Sequence, residues 1–384
     1  MAQAPSAAAP ATSPAPAAGG GTAVEASPEG TPSSAIGTTP AATAPVGIAP
    51  GSAAPTDVAT APDAAADGDT VADSDGPAAP APAPATTAPA AGAPAGRTID
   101  QAALRANVLK TLKAERERCG FSTVTKNAAL DQAALNHGAY LAAGYAVGTN
   151  GAHTEVPGRS GFTGEGVGDR ARAAGYTPRA VNEAFAHSSL ANTSAAIAGA
   201  LAPSDRAVAH TLFLLSTVYH MQTLLSPRLD LGVGYAEDKG SAAFAQVTVM
   251  EFGTRTGAAD ATQPDLLTYP CQGTTAARAA FVPAKENPNP MPSVGEATVG
   301  TPLYLRAPEG RVLVLRSHSV TGPNGAAVAT TVLDAANDPA ARLTRAQVFV
   351  LPQKALTKGA TYRVNFAGTI DGTAFTRSFS FQPS

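Results

Sequence analysis

Ionisable side chains gather on an unusual stretch of this 384-residue chain, between positions 148 and 176. Gly148-Thr-Asn-Gly-Ala-His153-Thr-Glu155-Val-Pro-Gly-Arg-Ser-Gly161-Phe162-Thr163-Gly164 is dominated by glycine and leads into Asp169-Arg170-Ala171 and Gly175-Tyr176. A loop of that kind has little packing to justify its polar groups, so they read as site residues rather than core. The remaining histidines read otherwise. His137 falls on the inner stripe of an expected helix, where a buried ring with one satisfied nitrogen is the ordinary role. His210 lies beside Leu214 on a helical stretch and reads as structural, while His187 and His318 sit in polar surroundings and are expected to be exposed.

Several chemistries are excluded by pattern. The chain has no HExxH, no GxSxG elbow and no Walker loop, and Gly164-x-Gly166-x-Gly168 follows a loop rather than a strand, so it is no nucleotide cradle. A zinc-deaminase site would pair His153-Thr-Glu155 with a PCxxC segment, but after Pro270-Cys271 position 274 is Thr. The two cysteines, Cys119 and Cys271, match no metal spacing and have no histidine nearby in sequence, which speaks against a cysteine nucleophile. Either two free thiols or one long-range disulfide remains, and the disulfide is the reading carried forward.

The elements that must position the loop come next. Thr98 or Asp100 can cap a first helix with the inner stripe Leu104, Val108 and Leu112, ending at Cys119-Gly120. Asn127 can cap a second, with Leu130, Ala134, His137 and Leu141 on one face and Gly144 as its stop. Leu231 to Ala236, a turn at Asp238-Lys239-Gly240, and Ala243 to Phe252 read as a hairpin. Beyond Asp265 no long helical period remains. Strands are expected at 302–306, 311–315, 329–333, 346–351, 361–366 and 373–381, the spacing of a β-sandwich of the Ig-like kind over 296–384, behind a proline-rich connector at 259–295.

Composition bounds the rest. Residues 1–97 contain no Phe, Tyr, Trp or Leu, so nothing there repays the entropy of ordering, and a disordered Ala/Pro-rich tether is expected. Its charges are eight acids and Arg97, which leaves the remainder close to neutral. Nothing resembles the basic stripe that nucleic-acid binding requires, so no nucleic-acid partner is expected. No run of eighteen apolar residues is present, so no transmembrane segment is expected either. Met1-Ala-Gln-Ala-Pro lacks the basic start and apolar core of a signal peptide.

Four blocks, in order, carry a resemblance. The stretch AHTEVPGRSGFTGEGVGDRARAAGY resembles the His-containing loop and following helix of bacterial CAP (SCP-like) domains, and AALNHGAYLAAG resembles that family's early helix. Val181-Asn182-Glu183 stands where the family carries a glutamate, and Tyr219-His220-Met221-Gln222-Thr223-Leu224-Leu225-Ser226-Pro227 resembles its second histidine block, followed by Leu231-Gly232-Val233-Gly234. The resemblance implies an α+β chain, with an α-β-α sandwich around a central antiparallel sheet over 98–258. It also implies a cavity in which His153, His220 and Glu183 hold a divalent cation, zinc or magnesium. The second glutamate of many eukaryotic members has no counterpart in Thr211–Val218, and Glu155 is the accessory carboxylate that would compensate. The function implied is a secreted, extracellular or periplasmic module that binds a lipid or a cell-envelope component. The alternatives are a metal-dependent hydrolase with Glu183 as base, or structural display of the β domain.

Overall fold

A computed structural model describes residues 97–149 and 152–384. The expected tether lies outside the described residues except for Arg97. The chain is mixed α and β. It opens with α1 (Gln101–Arg118), capped by the Asp100 carboxylate, which accepts from the Ala102 and Ala103 amides. Leu104, Val108 and Leu112 are its buried face, each contributing about 1.5–3 kcal/mol by leaving water. A two-residue strand, β1 (Thr125–Lys126), leads to Asn127, whose side chain accepts from Ala129 and Leu130 and starts α2 (Ala128–Ala146). This helix runs two residues past the expected stop, because Gly144 keeps helical geometry and its carbonyl instead accepts from the Thr149 amide.

A short α3 (Val167–Ala173) follows the glycine-rich loop, then β2 (Pro178–Leu190), α4 (Ser194–Ala198), α5 (Pro203–Leu214), α6 (Val218–Leu224), and the long hairpin β3 (Asp230–Lys239) and β4 (Phe244–Arg255). The sheet order is β1-β3-β4-β2, antiparallel except for the β1–β3 pairing. Register assigns its two faces. Ala184, Val233 and Met250 pair across the strands and pack on the side of α1, α5 and α6. Glu183, Gly232 and Glu251 pair one position along and lie on the other face, beneath α2. Gly232 and Gly234 admit that helix: a Cβ on either would stand 2.1–2.2 Å from the backbone at Leu130 or Ala134.

The segment expected to be a plain connector also contributes strands, β5 (Leu267–Tyr269) and β6 (Ala280–Phe281). After it come β7 (Val299–Gly300), β8 (Leu303–Arg306), β9 (Leu313–Thr321), β10 (Thr330–Asp334), β11 (Gln347–Pro352), β12 (Tyr362–Ile370) and β13 (Thr373–Phe381). The sheet β10-β11-β8-β5 has two dry faces. Leu303, Leu305, Val348 and Val350 join Val364 and Phe366 of the β13-β12-β9 sheet in one core. Tyr269, Tyr304, Phe349 and Leu351 alternate with them and continue the core of α1 and α6. The β-rich half is therefore built onto the helical layer. A Cys119–Cys271 disulfide, Cα atoms 5.4 Å apart, covers the same seam.

Candidate functional site

Glu183 is the hub. Its place on β2 turns it under α2, where its side chain is almost wholly buried. Oε1 accepts from His153 Nδ1 at 2.9 Å and lies 3.5 Å from His137 Nε2, while Oε2 accepts from an Arg170 terminal nitrogen at 2.7 Å. Burial alone would raise this carboxyl. The Arg170 guanidinium, His137 and the His153 hydrogen bond together outweigh it and hold Glu183 well below the ordinary carboxylate range.

The local sequence explains how Arg170 reaches it. Asp169 accepts from the Gly166 amide and starts α3, which turns the next side chain inward. The loop passes so close to this helix start that a Cβ on Gly164 would lie 2.7 Å from the Arg170 amide. Arg170 is fully buried, and besides Glu183 it donates to the carbonyls of His153 and Glu165 at 2.9 and 3.1 Å. One guanidinium thus ties both sides of the loop to the sheet.

Glu155 lies beside this pair. It is buried, accepts from His137 Nδ1 at 2.9 Å and from the Thr163 amide at 2.6 Å, and stands 4.0 Å from Arg170 Nε. His137 Nε2, on the other side of the ring and 3.5 Å from Glu183 Oε1, has no hydrogen-bond partner among the described residues. The third carboxyl of the cluster was not singled out by sequence. Glu251 pairs directly with Glu183 across β2 and β4, is fully buried, and neither oxygen has a hydrogen-bond partner among the described residues. Burial and the Glu183 charge push it well above the usual carboxylate range, against the pull of Arg170. The two paired carboxyls are thus shifted in opposite directions. The signal for it lay in strand phase, since Glu251 shares the inward phase of Val247 and Val249.

His153 alone meets solvent. Its side chain is 47% exposed, and its ring stands edge-on to Phe185 with centroids 4.9 Å apart. Apolar side chains of the same loop are also exposed, Val156 at 52% and Phe162 at 39%.

The sequence-derived set divides at this point. His153, Glu183 and Glu155 are brought together, whereas His220 belongs to α6 on the other face of the sheet. Its Nδ1 sits 2.9 Å from Glu286 Oε1 and 3.1 Å from Thr217 Oγ1. Glu286 also accepts from the Val218, Tyr219 and His220 amides, supplying the cap that the Thr217 side chain does not. Among the described residues no group of three or more His, Cys, Asp or Glu side chains is arranged to hold a metal ion. His153, His220 and Glu183 do not fit a divalent cation as one donor set: His220 faces Glu286, and the Glu183 carboxylate is already paired with the Arg170 guanidinium.

The other histidines are accounted for. His187 stacks on Tyr145 with centroids 3.9 Å apart, and His210 bridges Ser188 and Thr248, with burial lowering it to about 3. His318 reaches the Thr330 hydroxyl. A scan against models of known protein families and a search of curated proteins gave no match for this chain.

Proposed function

We propose that the chain is a binding module of the CAP kind, working outside the cytoplasm, whose ligand meets the exposed edge of His153. The observation that carries this reading is the contrast between a buried, ion-paired floor and one open imidazole. Glu183, Arg170, Glu155 and His137 are buried and mutually bonded, while His153 hangs from Glu183 into solvent. With Nδ1 donating to Glu183, Nε2 accepts from a ligand hydroxyl, or donates to an anionic oxygen once the ring is protonated. The exposed Val156 and Phe162 add apolar contact, which suits a lipid or another amphipathic envelope component. The order of helices and strands over 98–258, with layers on both faces of one sheet, and the Cys119–Cys271 bond support the same class.

A metal-dependent hydrolase is the weaker reading on acid–base grounds. A carboxylate held far below neutral pH gains little from accepting a proton, and Glu183 would be its general base. The test is flotation of the full chain with vesicles of phosphatidylethanolamine and phosphatidylglycerol. Wild type is expected to float and His153→Ala to bind about tenfold more weakly. Equal flotation of the two, or none by either, overturns this site in favour of structural display.

A further inference from the structure

A second site lies at the seam between the helical layer and the β-rich half. There a cleft of about 340 Å³ opens between the end of α1, β5 and β13. Its apolar lining includes Leu266, Leu267 and Phe379, all buried residues. Two guanidinium groups border it, Arg118 and Arg377, and no acidic side chain lines it.

Both guanidinium groups are exposed, and each keeps N–H donors that the described residues do not fill. Arg377 gives one bond, to the Leu266 carbonyl at 2.9 Å. Arg118 stands 3.6 Å from Glu115, a carboxylate that is itself almost wholly buried and accepts from the Tyr269 hydroxyl at 3.2 Å. A guanidinium carries five N–H donors, so both retain capacity for another acceptor. Two cations beside buried apolar side chains in an open cleft favour an anion. The volume suits a small molecule and lies at the lower end of ordinary ligand pockets.

We propose that this cleft binds a free small organic anion, a carboxylate on a short apolar body, with its head between Arg118 and Arg377 and its body against Leu266, Leu267 and Phe379. The cleft shares no residue with the His153 mouth, so the two sites stand or fall separately. Sequence gave no notice of it, since Arg118 and Arg377 are far apart in the chain and border one cleft only through the fold.

Octanoate is the probe, titrated calorimetrically into the full chain. Saturable binding is expected, weakened about tenfold or more in Arg118→Gln/Arg377→Gln and unchanged in His153→Ala. Octan-1-ol, with the same body and no charge, is expected to give no saturable heat. Octanoate affinity equal in wild type and the double variant, octanol binding as tight as octanoate, or no octanoate binding by wild type overturns the proposal. If the double variant fails to fold, Arg377→Gln alone takes its place and must weaken binding. Co-sedimentation with anionic vesicles that depends on the same two arginines would overturn the assignment to a free anion in favour of a membrane lipid.

Discussion

Two histidine–glutamate pairs in this chain share one contact distance and differ in everything around it. His153–Glu183 and His220–Glu286 each place Nδ1 2.9 Å from a carboxylate oxygen. In the first, the carboxylate is anchored from behind by Arg170 and the ring is half open to solvent. In the second, the carboxylate closes a helix N-terminus and the ring is only 15% exposed. The same pair of residue types makes a presentable ligand in one place and a joint in the other. What separates them is where the carboxylate spends its remaining lone pairs.

The largest effect should come from the anchor of the first pair. Arg170→Met leaves Glu183 buried without its cation and Glu251 close by, and should cost about 3–5 kcal/mol in denaturant unfolding. Combining it with Glu183→Gln should cost less than the sum of the single changes, because the orphaned charge is gone. Simple additivity would mean that the two side chains do not share an energy.

In the second pair, Glu286→Ala removes the acceptor for three backbone amides and for His220, and should cost about 1–3 kcal/mol by the same unfolding measurement. A change indistinguishable from an exposed substitution would contradict its role as a cap.

The comparison sharpens with pH. Glu251 has its folded pKa raised, so its proton is held more tightly in the fold than in the unfolded chain. Its contribution is full below the ordinary carboxylate range and is lost as pH rises through the raised value. Glu183 runs the other way: its support is present above the ordinary range and is lost only as pH falls toward its lowered value. Glu251→Gln should therefore flatten the decline in stability as pH rises above the ordinary carboxylate range, measured as unfolding free energy against pH. An unchanged profile would place that decline elsewhere.

Much of the scaffold was legible. Asp100 and Asn127 cap the helices they were expected to cap, since a cap and an apolar stripe are both local properties. The β3–β4 hairpin and the terminal β12–β13 pair form where strands were expected, although β9 and β12 run several residues longer than their apolar runs, sustained by pairing with each other. The site was legible only in part. His153 and Glu155 stand out because a glycine loop has no other use for them. The spacing around His220 could not say which face of the sheet α6 would cover, nor that a carboxylate 66 residues later would cap it. Strand phase turns Glu251 inward, but its pairing with Glu183 and the reach of Arg170 to the same carboxylate are contacts between elements, which one element's pattern does not state.

Vesicle binding and unfolding free energy, measured on the same preparations of His153→Ala and His220→Ala, separate the proposed ligand contact from the structural histidine. His153→Ala is expected to bind about tenfold more weakly while its stability stays within about 0.5 kcal/mol of wild type, as befits a half-exposed side chain. His220→Ala is expected to bind as wild type does and to be measurably less stable. The reverse pattern, with binding lost in His220→Ala and kept in His153→Ala, would contradict that division of roles.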